Sequence, residues 1–310
     1  MNFPIADVHI NTLYLIVIGF VVGVLGGFFG VGGSFLAGPA LFAVGVPMNF
    51  VVGTDLAHIV GKSIVAARKH RTSGNIDIKL GLIMVVGTIA GVEAGAQLIQ
   101  TLKRAAHVDW AVGLTFVVIL LGISGFMTWE TLKTARTQWR SGSGRQKSEE
   151  HPSRRDRSAV MHIARAVHRL SWPPFVRLPV SGIDRVSLWA VLLIAFIGGF
   201  FSGFLGGGAG YIRMPCLVYL LGIPTHLAVG TDLFEIIISA SYGTITHALK
   251  GNVDILIALV MHTGAAIGAQ VGATLTQFFV GPRIRMAFIP LPLLGAIILL
   301  HSLLTGHPAH

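Results

Sequence analysis

The chain has 310 residues, of which 53% are hydrophobic and only 12% are charged, and its mean hydropathy is +0.74. Soluble domains carry about 25% charged residues, so this composition excludes a disordered chain and an ordinary water-soluble enzyme. The net charge of +10 is concentrated in residues 130–187, which hold 12 Lys and Arg against 5 Asp and Glu. A basic segment between apolar runs is typical of the cytoplasmic side of a membrane protein and not of a nucleic-acid-binding protein. The single cysteine, Cys216, excludes a disulfide framework and a multi-cysteine metal or iron–sulfur site.

Apolar runs with the character of membrane segments follow one another from residue 13 onwards. No Lys or Arg precedes the first run, so we expect no cleaved signal peptide there. The runs of the first half are Leu13–Phe29, Phe35–Val46, Phe50–Ala67, Leu80–Ile99 and Trp110–Trp129. The runs of the second half are Leu188–Leu205, Met214–Leu221, Leu227–Leu249, Ile255–Val280 and Met286–Leu304. In each half the second run is shorter than the roughly 20 residues that a full span needs.

An internal repeat relates the two halves. An offset of 176 superimposes Gly30 on Gly206, and an offset of 177 relates the later motifs. These are Val-Gly-Thr-Asp-Leu at 52–56 and 229–233, and Gly-Asn-x-Asp-Ile at 74–78 and 251–255. We therefore divide the chain into a first membrane repeat (1–129), a basic cytoplasmic linker (130–187) and a second membrane repeat (188–310). Repeats of this kind are typical of secondary transporters, in which the site lies between the repeats near the middle of the bilayer.

The predicted fold is an all-α polytopic membrane protein with two repeats of four to five membrane segments each. If the short run crosses the membrane, each half has five crossings and the repeats are inverted; if it only dips in, each half has four and the repeats are parallel. Eleven Lys and Arg residues lie outside the linker, and one of them, Lys62, is within an apolar run. With the linker inside, five crossings place six of the other ten on the inner side, whereas four crossings divide these ten evenly. The positive-inside rule therefore favours inverted repeats, with both termini outside the cell.

A glycine-rich break precedes each short run. Non-helical backbone at membrane depth is tolerated only inside the protein or along a water-filled cavity. A short helix that begins there directs its amide groups, and about half a positive charge, into that space, so we predict an anion site built from peptide amides. The alternative is that the glycines only allow close helix packing, which we prefer for Gly87, Gly91 and Gly95. The predicted substrate-binding residues of the breaks are Gly30, Gly32, Gly33, Ser34, Gly206, Gly207, Gly208 and Gly210.

Ionisable residues within the apolar runs are a second group of candidates, because a carboxylate at membrane depth is costly and marks a functional residue by default. The duplicated Asp55 and Asp232 serve either a structural or gating role or a direct contact with substrate or protons. Each has an ionisable partner three residues later on the same helical face, His58 and Glu235 respectively, and the acidic pair is a candidate proton carrier. Arg213 follows the second break without a basic counterpart. It either completes an anion clamp or lies at the membrane interface.

Together, these motifs resemble those of one transporter family. The glycine-rich segment of residues 19–33, the following Pro39, the Val-Gly-Thr-Asp motif and the Gly-Asn-Ile-Asp loop are similar to those of the TauE/SafE family of sulfite and organosulfonate exporters. The resemblance covers residues 13–129 and 188–304 and leaves the linker unmatched. It implies an exporter in the plasma (inner) membrane for small sulfur-containing anions, with protons as a candidate coupling ion.

Two other functions stay open beside this one. An intramembrane hydrolase would use Ser34 as its nucleophile, which needs a histidine base within hydrogen-bond reach. A divalent cation carrier of the nickel or cobalt type would need several nitrogen and oxygen ligands to converge. We predict a transporter and not an enzyme, with no cofactor, no catalytic residue and no metal site, whose partners are the lipid bilayer and a small anion. The side chains that would have to converge for the cation carrier are Asp55, His58, Asp232, Glu235 and His262.

Overall fold

The computed structural model describes residues 1–105, 107–140, 173–279 and 281–305. Most of the predicted linker, residues 141–172, lies outside this part of the chain. The described residues are helical apart from two short hairpins and their connections, which confirms the all-α membrane fold. Within them, seven helices are long and apolar enough to span a membrane.

The first half begins with a hairpin and continues with five helices. Its strands are β1 (Asn2–Phe3) and β2 (Val8–His9), and its helices are α1 (Thr12–Phe29), α2 (Ser34–Phe42), α3 (Met48–Thr72), α4 (Ile78–Arg104) and α5 (Val108–Arg140). Helix α5 continues well beyond Trp129, where the apolar run ends.

The second half repeats this order of elements. Its strands are β3 (Phe175–Leu178) and β4 (Ile183–Ser187), and its helices are α6 (Leu188–Leu205), α7 (Gly210–Pro215), α8 (Thr225–Leu249), α9 (Ile255–Leu275), α10 (Gly281–Phe288) and α11 (Pro290–Thr305). A single π-helical turn, Cys216–Leu220, follows α7.

Helices of opposite halves pack together in pairs: α1 with α9, α4 with α6, and α3 with α8. In the first two pairs, regularly spaced glycines of one helix lie directly against the backbone of the other, so that an added Cβ would overlap backbone atoms. This arrangement confirms the close-packing interpretation of these glycines. The glycines concerned are Gly87, Gly91 and Gly95 on α4, and Gly264, Gly268 and Gly272 on α9.

The equivalent helices α3 and α8 cross each other in antiparallel orientation. Near the start of α3, Thr54 Oγ1 accepts a 2.9 Å hydrogen bond from the amide of Asp254, which follows the end of α8. Near the start of α8, Thr231 Oγ1 accepts a 2.9 Å bond from the amide of Asp77, which follows the end of α3. Two helices that are related by the repeat can be antiparallel only if the pseudo-two-fold axis that relates the halves is perpendicular to them. The repeats are therefore inverted, as the distribution of basic residues favours.

The short helix α2 returns the chain towards the side where α1 begins. Tyr14 Oη, near the start of α1, donates to the Ala40 carbonyl oxygen near the end of α2 at 3.0 Å. His70 Nε2, near the end of α3, lies 3.1 Å from the Gly27 carbonyl oxygen near the end of α1. Because α1 and α3 run in the same direction with α2 between them, each half contributes five segments.

A hairpin that the hydropathy pattern does not indicate precedes the first long helix of each half. In the first hairpin, the Ala6 amide donates to Asp254 Oδ2 at 3.1 Å; in the second, Ser181 Oγ donates to Asp77 Oδ2 at 2.7 Å. The two aspartates occupy equivalent positions of the repeat, so the hairpins dock on equivalent loops. The last residues of the predicted linker therefore form an ordered part of the membrane domain.

Replacing Thr231 by valine is expected to destabilise the protein by about 1–3 kcal/mol, because it leaves the buried Asp77 amide without its acceptor. Thr54→Val should have a similar effect at the other end of the helix pair. The measurement is the thermal unfolding midpoint of the purified protein in detergent. A matched control is Thr263→Val, since the Thr263 hydroxyl is exposed and bonds only to a carbonyl of its own helix. Equal midpoints for all three variants would contradict the role of the cross-repeat bonds.

Candidate functional site

Both glycine breaks are non-helical in the structure. Six of their glycines have φ between 69° and 84°, the left-handed region that glycine adopts without steric cost. Every residue of 30–34 and 206–210 is buried, so the chain leaves its helical path deep inside the protein. The six glycines are Gly30, Gly32, Gly33, Gly206, Gly207 and Gly208.

The two breaks contact each other between the two halves. Ser34 Oγ donates a 2.8 Å hydrogen bond to the Gly207 carbonyl oxygen. An added Cβ at Gly207 would overlap the Ser34 side chain, and one at Gly210 would lie 2.6 Å from Val31 Cα. The predicted glycines and Ser34 are thus brought together, and in this conformation they are packed against one another.

Asp55 and Asp232 lie directly beside the breaks. A Cβ at Gly207 would be 2.8 Å from Asp55 Oδ2, and a Cβ at Gly210 would be 2.5 Å from Asp232 Oδ2. Carboxylates of the protein therefore lie next to the peptide amides that the sequence suggests as an anion site. Binding of an anion by these amides would require either a further positive group or movement of these carboxylates.

A further positive group is present in the second half, where Arg213 forms a buried ion-pair cluster. Its Nε lies 2.8 Å from Asp232 Oδ1, and its Nη1 lies 2.5 Å from Glu235 Oε2. All three side chains have an exposure of 0%, so the interfacial position considered for Arg213 is wrong. One guanidinium on α7 is shared by two carboxylates on α8.

Gly198 on α6 provides the space for this arginine. A Cβ at Gly198 would overlap Arg213 Cγ and Cδ. Val22 stands at the equivalent position of the first half, where no basic residue follows the break. Gly198 is not among the predicted site residues, although the difference between the two halves at this position is a signal that points to it.

Several polar atoms of this cluster have no hydrogen-bond partner among the described residues. They include Arg213 Nη2, Asp232 Oδ2 and Glu235 Oε1, together with the hydroxyl of Tyr211. Buried polar atoms are almost always hydrogen-bonded. The cluster therefore has unused donors and acceptors for one more polar group, and Arg213 Nη2 is a donor suited to an anion.

In the first half, a different cluster is centred on Lys62. His58 Nδ1 lies 3.2 Å from Asp55 Oδ1, and Lys62 Nζ lies 3.4 Å from both ring nitrogens of His58. The His262 ring of α9 packs against Gly61, one residue before Lys62. Each half thus has one buried basic side chain near its Gly-Thr-Asp carboxylate: Arg213 of α7 contacts Asp232 directly, whereas Lys62 of α3 contacts His58, which in turn contacts Asp55.

The described residues do not form the arrangement that a divalent cation carrier or an intramembrane hydrolase would require. Among the described residues, no group of three or more His, Cys, Asp and Glu side chains could hold a metal ion. Arg213 lies between Asp232 and Glu235, where a divalent cation would have to bind, so the convergence expected for a nickel or cobalt carrier is not found. Ser34 Oγ donates to a backbone carbonyl, which leaves the hydrolase hypothesis without support for its histidine base.

Residues 15–299 match a family model described as sulfite exporter TauE/SafE. The chain belongs to the TauE/SafE family. Two Bacillus subtilis relatives, both named probable membrane transporter proteins, are 24% identical to it. YunE is similar over 275 residues, which cover 86% of this chain and 89% of YunE, and YjnA over 297 residues, which cover 94% and 98%. No solved structure matches the chain.

A probable membrane transporter protein of Methanocaldococcus jannaschii is also 24% identical, over 286 residues that cover 85% of each chain. Family membership and these relatives establish a multi-pass membrane transporter that moves a small molecule across a lipid bilayer, and not an enzyme.

Proposed function

We propose that the protein is a secondary transporter that exports small sulfur-containing anions, such as sulfite or organosulfonates, across the inner (plasma) membrane. The observation that carries this proposal is the buried Arg213 guanidinium, whose Nη2 has no hydrogen-bond partner in the described part of the chain. A guanidinium offers planar, paired donors that match the oxygens of a sulfonate or carboxylate. The description of the matching family model, sulfite exporter, names an anion of this class.

An anion at Arg213 would share the guanidinium with Asp232 and Glu235 and repel both carboxylates. Protonation of one of them reduces this repulsion, which supports protons as the coupling ion and these two residues as the exchanging groups. Asp55 and His58 form the corresponding pair in the first half. The amides of the two breaks would add donors to the anion once the breaks separate.

Alternating access follows from the two bonds that join the repeats. The Thr54–Asp254 and Thr231–Asp77 hydrogen bonds lie near opposite ends of the α3–α8 pair, and both are formed in this structure. Rocking of one bundle against the other would open one end at a time, as in other inverted-repeat transporters. In this arrangement the linker is cytoplasmic and both termini are on the outer face.

The test is transport by the full-length protein in proteoliposomes. We expect saturable uptake of labelled sulfite or sulfoacetate above that of empty liposomes, and faster uptake when a pH gradient is applied. Nickel and cobalt ions are measured in parallel. No flux of any anion in a panel of small sulfur-containing anions would refute the proposal, and flux of the metal ions alone would favour the cation-carrier alternative.

A further inference from the structure

A row of polar side chains on one face of α8 extends from the buried ion-pair cluster towards the end of the helix. Glu235, Ser239, Tyr242 and Thr246 follow one another at intervals of four, three and four residues, so they lie on one face of the helix. Ser239 Oγ donates to Glu235 Oε2 at 3.3 Å, which joins this polar stripe to the cluster. Because α8 starts on the side of the linker, the stripe runs towards the opposite face of the protein.

Glu93 of α4 meets the far end of this polar stripe. Glu93 Oε2 accepts hydrogen bonds from Tyr242 Oη at 3.1 Å and from Thr246 Oγ1 at 3.4 Å. The Glu93 side chain is 37% exposed, although it lies well inside a membrane-spanning helix. A carboxylate is costly to expose to lipid, and Glu93 contacts Lys250, the residue that follows α8, so we infer that its exposed part faces water on the side opposite to the linker.

The charged and titratable groups around Glu93 come from α8. Lys250 Nζ lies 3.5 Å from Glu93 Oε1, and Tyr242 and His247 are its other titratable neighbours. On α4 itself, Gln97 Nε2 donates to Glu93 Oε1 at 2.6 Å. Helix α6, which packs along α4, has no titratable side chain. Lys250 balances the charge of Glu93, so the pair can be ionised without a net charge.

The repeat-related pair of helices, α9 and α3, lacks this arrangement. The residue equivalent to Glu93 is Gln270, and the residue equivalent to Tyr242 is Val65. At the repeat-related positions, the carboxylate is replaced by an amide and the polar stripe is interrupted by Val65. The polar connection of Glu235 with Glu93 thus has no counterpart at the repeat-related positions of the other half.

We propose that Glu93 is a proton-relay residue that connects water on the face opposite to the linker with Glu235. This inference rests on the proposed proton-coupled function and adds a route to it. The Glu93 carboxylate takes a proton from water and passes it to Tyr242, which gives up its own hydroxyl proton towards Ser239. Ser239 in turn donates its proton to Glu235, where an O–H bond forms, so that Glu93 is a carboxylate again and Glu235 releases Arg213 to the anion. Tyr242 and Ser239 are three residues apart on the same face of α8, and the proposal requires a bridging water between their hydroxyl groups.

The experiment uses the full chain in proteoliposomes with sulfoacetate, an anion that carries no exchangeable proton near neutral pH. Two quantities are measured: sulfoacetate exchange at equal pH on both sides, and the lumenal pH change, recorded with a trapped dye, that accompanies net sulfoacetate flux. We expect Glu93→Gln to retain exchange and to lose the pH signal by about a hundredfold, the scale of a positioned proton donor. Tyr242→Phe should reduce the same signal.

The matched control is Gln270→Ala, which changes the equivalent position of the other half and should leave both quantities unchanged. An undiminished pH signal in Glu93→Gln, with normal exchange, would overturn the assignment of Glu93 and leave the anion site intact. Equal loss of exchange and pH signal would also overturn it, because the residue would then be structural. Absence of sulfoacetate exchange by the unaltered protein would instead count against the proposed function itself.

Discussion

Replacing Arg213 by lysine is expected to reduce anion flux about 10- to 100-fold and to raise the apparent KM, while the protein remains folded. Lysine keeps a positive charge between Asp232 and Glu235 but loses the planar pair of donors. A charge-assisted hydrogen bond contributes about 1.5–3 kcal/mol, and 1.4 kcal/mol corresponds to about a tenfold change in affinity. The measurement is the initial rate of labelled sulfite uptake as a function of sulfite concentration.

A control for this substitution is Arg285→Lys. Arg285 is a second buried arginine, on α10, whose Nη1 donates to Thr225 Oγ1 at 2.8 Å, and it lies outside the proposed site. This variant should keep the KM of the unaltered protein. Arg213→Gln is less informative because it leaves two buried carboxylates without a cation, which costs about 3–5 kcal/mol of stability. An unchanged KM in Arg213→Lys would show that the anion binds elsewhere.

Replacing Gly207 by alanine is expected to abolish transport and to lower the yield of folded protein. Gly207 has φ of 69°, and an added Cβ would overlap the Ser34 side chain of the other break. The two breaks would have to separate permanently, which removes the Ser34–Gly207 bond and moves the backbone beside Asp55. Transport in proteoliposomes and the monodisperse fraction in detergent measure the two effects.

The control for Gly207 is Gly74→Ala. Gly74 has a nearly identical φ of 72°, but no described atom lies within 4 Å of an added Cβ. Both variants therefore carry the same backbone cost, about 1–2 kcal/mol for a left-handed residue, and only Gly207→Ala carries the collision. If the two variants transport equally well, contact between the breaks is not required for function.

The two halves share a scaffold but differ in their buried charges. The first half combines Asp55 and His58 with Lys62, whereas the second combines Asp232 and Glu235 with Arg213. Both halves contain a glycine break and a cross-repeat hydrogen bond at equivalent positions. The scaffold is therefore symmetric, which is compatible with a transporter that opens to either face of the membrane. The guanidinium proposed to bind the anion is found in the second half alone among the described residues of the two breaks and their flanking helices, so the two halves would contribute differently to transport.

Much of the architecture was predictable from local patterns. The long apolar runs predict the helices, the glycine clusters predict the two breaks, and the motif offsets predict the repeat, because hydropathy and glycine content act over a few neighbouring residues. The hairpin before each half was missed, since its strands of two to five residues are too short to produce a hydropathy signal.

The sequence by itself determined a membrane protein of two related halves, with the breaks at residues 30–34 and 206–210 and ionisable residues nearby. Only the tertiary structure decided which charges meet across helices: Arg213 of α7 with Asp232 and Glu235 of α8. It also decided that the breaks pack on each other beside Asp55 and Asp232. These contacts join residues from different helices, and the pairing of a buried charge depends on distances in three dimensions that no spacing along the chain encodes.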